Sequence, residues 1–190
     1  VKVNDIRSDW ARERGRSGLK DGVVYTGIPS AEEIKACPGI PSEERMRQGR
    51  VAVVECVQEI PCNPCEAACK FGAIVVGEQI TDLPILYSDK CTGCGLCVPG
   101  CPGLAIAIID KSRDDGKAVV EFPFEYVPLP DKGDIVTGVS RAGEAICDAE
   151  VLSVKKGKAY GGTTVVGLLV PMEHIDEVRS MKRLPRKDGE

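Results

Sequence analysis

A chain of 190 residues, 43% hydrophobic and 28% charged, has the composition of one ordinary globular domain or two small ones. A formal net charge of -4 and only 4% aromatic residues exclude a strongly basic nucleic-acid binder and a base-stacking platform. No apolar run reaches about 18 residues, so no membrane span is expected, and the opening segment lacks the apolar stretch of a secretory signal.

Residues 1–30 are polar, with a basic tilt from Lys2, Arg7, Arg12, Arg14, Arg16 and Lys20. They are expected to be either a solvated tail or an arm that docks on a partner through Trp10. Ser30-Ala-Glu-Glu33 has the pattern of a helix capping box, and a second short helix is expected to start at Pro41-Ser-Glu-Glu. The β-branched run 51–57 predicts a strand.

Ten cysteines follow an unusual distribution, eight of them between positions 56 and 101. Clustered cysteines with no signal before them point to reduced thiols acting as metal ligands in a cytoplasmic protein, not to a disulfide framework. Cys62, Cys65 and Cys69 recur 32 residues later as Cys94, Cys97 and Cys101, and Ala73, Ile74 and Val76 recur as Ala105, Ile106 and Ile108. This is an internal repeat in which each half reads as a cysteine loop, a short helix and a β-rich run.

Beyond position 116 the pattern is β-like. Strands are predicted at 119–122, 134–137, 145–154 and 163–170, separated by turn signals at 131–133 and 156–157. A small antiparallel sheet or barrel of unspecified order is the expectation. Pro171 is expected to open a last helix, with Ile175, Val178 and Met181 on one face. Basic residues Lys182, Arg183, Arg186 and Lys187 follow, and a solvated tail accounts for them.

Cys91-x2-Cys94-x2-Cys97-x3-Cys101-Pro102 has the bacterial ferredoxin spacing for [4Fe–4S] ligation, in which the fourth cysteine serves the other cluster. Gly93 and Gly95 allow the loop to wrap closely, and its N–H groups can donate to sulfur. In the first half Glu59 stands where Cys91 stands in the second, and the nearest candidate is Cys56. Cys56 can serve if residues 58–61 loop outward. The expected sets are Cys56, Cys62, Cys65 and Cys101 for one cluster, and Cys69, Cys91, Cys94 and Cys97 for the other. Alternatives are a [3Fe–4S] site without Cys56, zinc on the two C-x2-C pairs, or Cys37 as a ligand. Cys147, among Ala145, Ile146 and Ala149, is expected to be an inert buried thiol, and His174 a surface residue. No catalytic residue is expected: one histidine supports no triad, and no phosphate or dinucleotide loop is present.

Cys62-Asn-Pro-Cys-Glu-Ala-Ala-Cys69 and Asp89-Lys-Cys-Thr-Gly-Cys-Gly-Leu-Cys97 resemble dicluster bacterial ferredoxin domains. Gly27-Ile-Pro-Ser, Gly39-Ile-Pro-Ser-Glu-Glu, the stretch 54–65 and Phe122-Pro-Phe-Glu-Tyr-Val-Pro-Leu-Pro130 are similar to the small ferredoxin-type subunits of FAD-dependent amine and amino-acid dehydrogenases of anaerobic bacteria, which act on proline, hydroxyproline or sarcosine. Lys70, where Pro usually follows the fourth cysteine, departs from the pattern. The resemblance implies an α+β fold. It would have an N-terminal extension or docking arm (1–50), a pseudo-two-fold dicluster ferredoxin core (51–115), and a small antiparallel β module ending in a helix (116–190). It also implies two [4Fe–4S] clusters and an electron-transfer role in a hetero-oligomer with a flavin-containing dehydrogenase. A free carrier and a cluster-stapled structural subunit are the rival expectations.

Overall fold

The computed structural model describes residues 21–185. The expected docking arm around Trp10 and the basic residues Arg186 and Lys187 lie outside the described residues.

Three short helices open the described chain: α1 (Val23–Thr26), α2 (Ala31–Ala36) and α3 (Glu43–Arg47). The Ser30 hydroxyl accepts from the Glu33 N–H while the Glu33 carboxylate accepts from the Ser30 N–H, so the expected capping box closes. Glu33 also accepts from the Val23 N–H, which ties α1 to α2. Ser42 caps α3 through the Arg45 N–H. These caps satisfy helix-end donors that short helices otherwise leave to water.

Strand β1 (Val51–Val54) follows, then α4 (Pro64–Ala68), the hairpin β2 (Ile74–Val75) and β3 (Ile85–Leu86), α5 (Cys97–Gly100) and β4 (Ile106–Asp110). The 32-residue repeat is visible in this stretch. α4 and α5 end at equivalent places, Ala68 and Gly100, and pack so closely that a Cβ on Gly100 would sit 2.9 Å from the Ala68 Cβ. Gly72 and its equivalent Leu104 both take positive φ, 61° and 53°. Leu104 does so without glycine's freedom, a left-handed conformation that costs about 1–2 kcal/mol.

The remaining strands are β5 (Lys117–Phe124), β6 (Ile135–Val139), β7 (Ala145–Lys155), β8 (Thr164–Pro171) and β9 (Ser180–Met181). Together with β1 and β4 they form one seven-stranded antiparallel sheet in the order β1-β4-β5-β8-β7-β6-β9. The sheet curls, bringing β9 back towards β5. The class is α+β. The expected division at 115/116 falls in the β4–β5 turn, where Asp110 pairs with Val119, and one apolar core extends across it from Val53 and Ile108 to Phe122 and Leu168. Each of those side chains contributes about 1.5–3 kcal/mol through burial.

The helix expected after Pro171 does not form. Met172–His174 is a single 3-10 turn, and Met181 belongs to β9, paired with Gly138. Ile175, Val178 and Met181 are buried as expected. Their three-residue spacing comes from an irregular segment and a strand, because edge pairing with β6 outcompetes a helix too short to nucleate alone.

Candidate iron–sulfur centre

The eight cysteines expected as ligands lie on loops and short helices beside β1 and β4: Cys56 follows the C-terminal end of β1, and the Cys91 loop sits against its start at Arg50 and Ala52. Cys65 and Cys97 are buried, Cys94 is exposed, and the other five are half-buried. None of the ten cysteines forms a disulfide.

Cys69, Cys91, Cys94 and Cys97 line a single cavity together with Ala52 and Ile108. Three come from the second motif and Cys69 from the first, so this cavity is lined from both repeat halves. Cys56, Cys62 and Cys101 line a separate, larger cleft of about 690 Å³. Cys65 lies within electrostatic reach of Cys101, Cys56 and Cys62, whereas Cys97 is within reach of Cys91, Cys94 and Cys69. Residues 58–61 are exposed, and Cys56 lines the same cleft as Cys62 and Cys101.

Backbone donors reach the sulfurs. The Ala73 N–H donates to Cys69 Sγ at 3.2 Å and the Ala105 N–H to Cys101 Sγ at 3.5 Å, the same bond in both repeat halves. The Ala52 N–H donates to Cys91 Sγ at 3.4 Å. Such bonds favour an electron-rich thiolate. Burial, with the nearby cysteines, pushes the Cys97 thiol up to about 12 and the Cys65 thiol up to about 11. Thiols so placed ionise only where a cation replaces the lost water. Donor chemistry, cavity and N–H groups therefore fit a bound iron–sulfur cluster. Among the described residues, no three His, Cys, Asp or Glu side chains converge as one metal ion would require. A lone zinc gathers sulfurs about 2.3 Å from one centre, whereas a four-iron cluster spreads them over separate irons.

Two charged networks brace the site, and neither was anticipated. Arg45 donates to the carbonyls of Ser88, Gly49, Arg50 and Cys91. Arg50 donates from Nε to the Gly93 carbonyl and from both Nη atoms to the Glu121 carboxylate, which also accepts from Lys155. On the other side Glu55, next to Cys56, accepts from Arg141 and from Arg179 at 2.8 Å. Burial pushes Glu55 and Glu121 up, but their cationic partners outweigh it and hold both below the usual glutamate value. The available sequence signal was a lone charge inside an apolar run, as in Val119-Val-Glu-Phe122.

Cys37 is buried, and its thiol donates to the carbonyls of Val54 and Cys56. It steadies the Cys56 backbone instead of pointing into either group. Cys147 is half-buried on β7, away from both, and burial raises its thiol as well. His174 sits in the 3-10 turn, with Nδ1 3.6 Å from Glu177.

Residues 84–107 match the family described as a 4Fe-4S binding domain. Over 50 residues the chain is 40% identical to a subunit of the Na(+)-translocating ferredoxin:NAD(+) oxidoreductase complex of Acetobacterium woodii, covering 26% of this chain and 14% of that protein. It is 35% identical over 61 residues to the ferredoxin-type protein NapF of Haemophilus influenzae (31% and 35%). It is 33% identical over 87 residues to an uncharacterized ferredoxin of Methanocaldococcus jannaschii (42% and 48%). The matched stretch spans less than half of each relative. No solved structure matches the chain. Residues 84–107 therefore carry the 4Fe-4S binding motif, and the chain is similar over part of its length to proteins named as ferredoxins or ferredoxin-type proteins. Among the described residues no helix is long and apolar enough to cross a membrane.

Proposed function

We propose that this chain is a non-catalytic electron-transfer subunit, relaying electrons through two [4Fe–4S] clusters from a flavin-containing amine or amino-acid dehydrogenase to a downstream acceptor. Cys56, Cys62, Cys65 and Cys101 would hold one cluster, and Cys69, Cys91, Cys94 and Cys97 the other. The observation that carries this reading is the shared cavity of Cys69 with Cys91, Cys94 and Cys97. A ligand set drawn from both repeat halves is the arrangement that a pair of interlocked clusters requires.

When bound, such clusters supply one-electron redox centres. The chain's residues do the rest. Ala52, Ala73 and Ala105 donate to cysteine sulfur, β1 and β4 shut water out from one side, and Cys94 reaches the surface. The core is a pseudo-two-fold pair of cluster loops, and the β-rich sheet is the added part that docks a partner. In this reading the chain is part of a hetero-oligomeric oxidoreductase, and its clustered reduced cysteines favour the cytoplasm; two things support the complex. The dehydrogenase-subunit resemblance of residues 27–65 and 122–130 supports it, and the Acetobacterium woodii relative is named as part of a complex.

Anaerobic purification of the native protein with iron and flavin analysis tests the reading, followed by EPR after adding proline, hydroxyproline or sarcosine. About eight irons per chain, a co-purifying flavoprotein and substrate-dependent cluster reduction are expected. Full iron with no flavoprotein would replace the subunit reading with a free carrier. About half the iron would remove one of the two clusters.

A further inference from the structure

Glu121 lies in β5 between Val120 and Phe122, with β4 paired on one side and β8 on the other. Its side chain is only 4% exposed. A carboxylate in such a place loses several kcal/mol of hydration unless it is matched. One cation would match it, and two are present. Arg50 grips it with Nη1 and Nη2 at 2.7 and 2.8 Å, and Lys155 Nζ reaches both oxygens at 2.8 Å. The triad therefore carries a formal surplus of one positive charge.

That surplus sits under one cysteine loop. Arg50 Nε donates to the Gly93 carbonyl at 3.1 Å, and a Cβ on Gly95 would lie 3.7 Å from a Glu121 oxygen. Gly93 and Gly95 flank Cys94. Arg45 adds a guanidinium on the Cys91 carbonyl at 2.8 Å, and Asp110 faces Arg50 as a counter-charge. The triad reaches the loop through backbone atoms. A cluster gains one negative charge on reduction, so a net positive field in a site of low dielectric favours its reduced form.

We infer that Arg50, Glu121 and Lys155 are positioning charges that set the reduction potential of the cluster held by Cys69, Cys91, Cys94 and Cys97. The two cations raise that potential and Glu121 restrains it. The inference rests on the ligand reading above. Glu55, Arg141 and Arg179 stand at the other group of cysteines, so the Glu121 triad acts chiefly on one cluster.

The test is an EPR-monitored redox titration of the anaerobically purified holoprotein. Iron is counted, and the clusters are told apart by the paramagnetically shifted β-proton resonances of their cysteines. Glu121→Gln keeps the shape and removes the negative charge, so the potential of the Cys91–Cys94–Cys97 cluster shifts upward. Lys155→Met removes a positive charge, so the same potential shifts downward. The double variant returns towards the native value, and the other cluster moves less throughout. Loosening of the loop alone cannot give opposite signs. Shifts of the same sign, equal shifts at both clusters, or no shift at full iron content would overturn the inference. If Glu121→Gln loses iron, Lys155→Met decides alone, and the lack of a downward shift overturns it. A native protein without two clusters would overturn the ligand reading, and the inference with it.

Discussion

Arg45 Nη2 donates to the Cys91 carbonyl at 2.8 Å, joining a five-residue helix to the loop that carries three expected cluster ligands. The same guanidinium holds Ser88, Gly49 and Arg50. A planar fork with five donors suits this task and an ammonium does not. Arg45→Lys is expected to destabilise the protein by about 2 kcal/mol, the scale of a lost charged hydrogen bond. A chelator should then remove the iron of the Cys91 group first, as followed by visible absorbance. An unchanged rate of iron loss would show that the loop holds without Arg45.

Cys94→Ser and Cys65→Ser probe the two cysteine groups separately. Each should leave about four of about eight irons, with the surviving cluster still reducible. Iron analysis with EPR checks this. Loss of all iron in both variants would mean that the clusters assemble only as a unit.

Gly93 has φ 65°, and a Cβ there would meet the Arg50 Cβ at 2.4 Å and its carbonyl oxygen at 2.5 Å. Gly72 has nearly the same φ, 61°, with open space around it. Gly72→Ala should cost about 1–2 kcal/mol, the left-handed penalty alone. Gly93→Ala adds the displacement of Arg50, for a total of about 3 kcal/mol or more. Thermal bleaching of the iron–sulfur absorbance measures both, and equal midpoints would remove the close approach as the cause.

Glu55 links stability to pH. Burial raises its pKa, and Arg141 and Arg179 more than reverse this, so the folded value lies below the ordinary 4.5. A group depressed on folding stabilises above its unfolded pKa, and that contribution is lost as pH falls through the folded one. The advantage of the wild type over Glu55→Gln should be constant above about pH 5 and shrink below about pH 4. Rates of absorbance loss across that range report it. An advantage that grows with acid contradicts the sign.

Phe122 is 1% exposed within the core that extends across the β4–β5 turn. Phe122→Ala should cost about 4 kcal/mol. Absorbance bleaching and far-UV circular dichroism should shift together if residues on the two sides of that turn unfold as one unit. Separate transitions would divide the chain at the turn.

Much of the site was legible because its chemistry is local. A cluster of the proposed kind takes three thiolates from one tight loop, and that spacing is written directly into Cys91, Cys94 and Cys97. The 32-residue repeat then points to Cys69 and Cys101 as exchanged partners, and Cys56 follows once residues 58–61 are allowed to bulge. The caps at Ser30 and Ser42 and the strands near 51, 119, 134, 145 and 164 were readable for the same reason: each is set by neighbours within a few residues.

What the amino-acid sequence determined by itself is this short-range content: the cysteine loops, the repeat, the α+β class and the strand positions. Tertiary structure alone decided the sheet order β1-β4-β5-β8-β7-β6-β9. It also decided the replacement of the last helix by a turn and β9, and the meeting of Arg50 with Glu121 and Lys155 and of Glu55 with Arg141 and Arg179. Strand order and buried ion pairs join residues up to 124 positions apart. Their energies depend on which faces are left for burial once everything else has packed, and no periodicity along the chain encodes that.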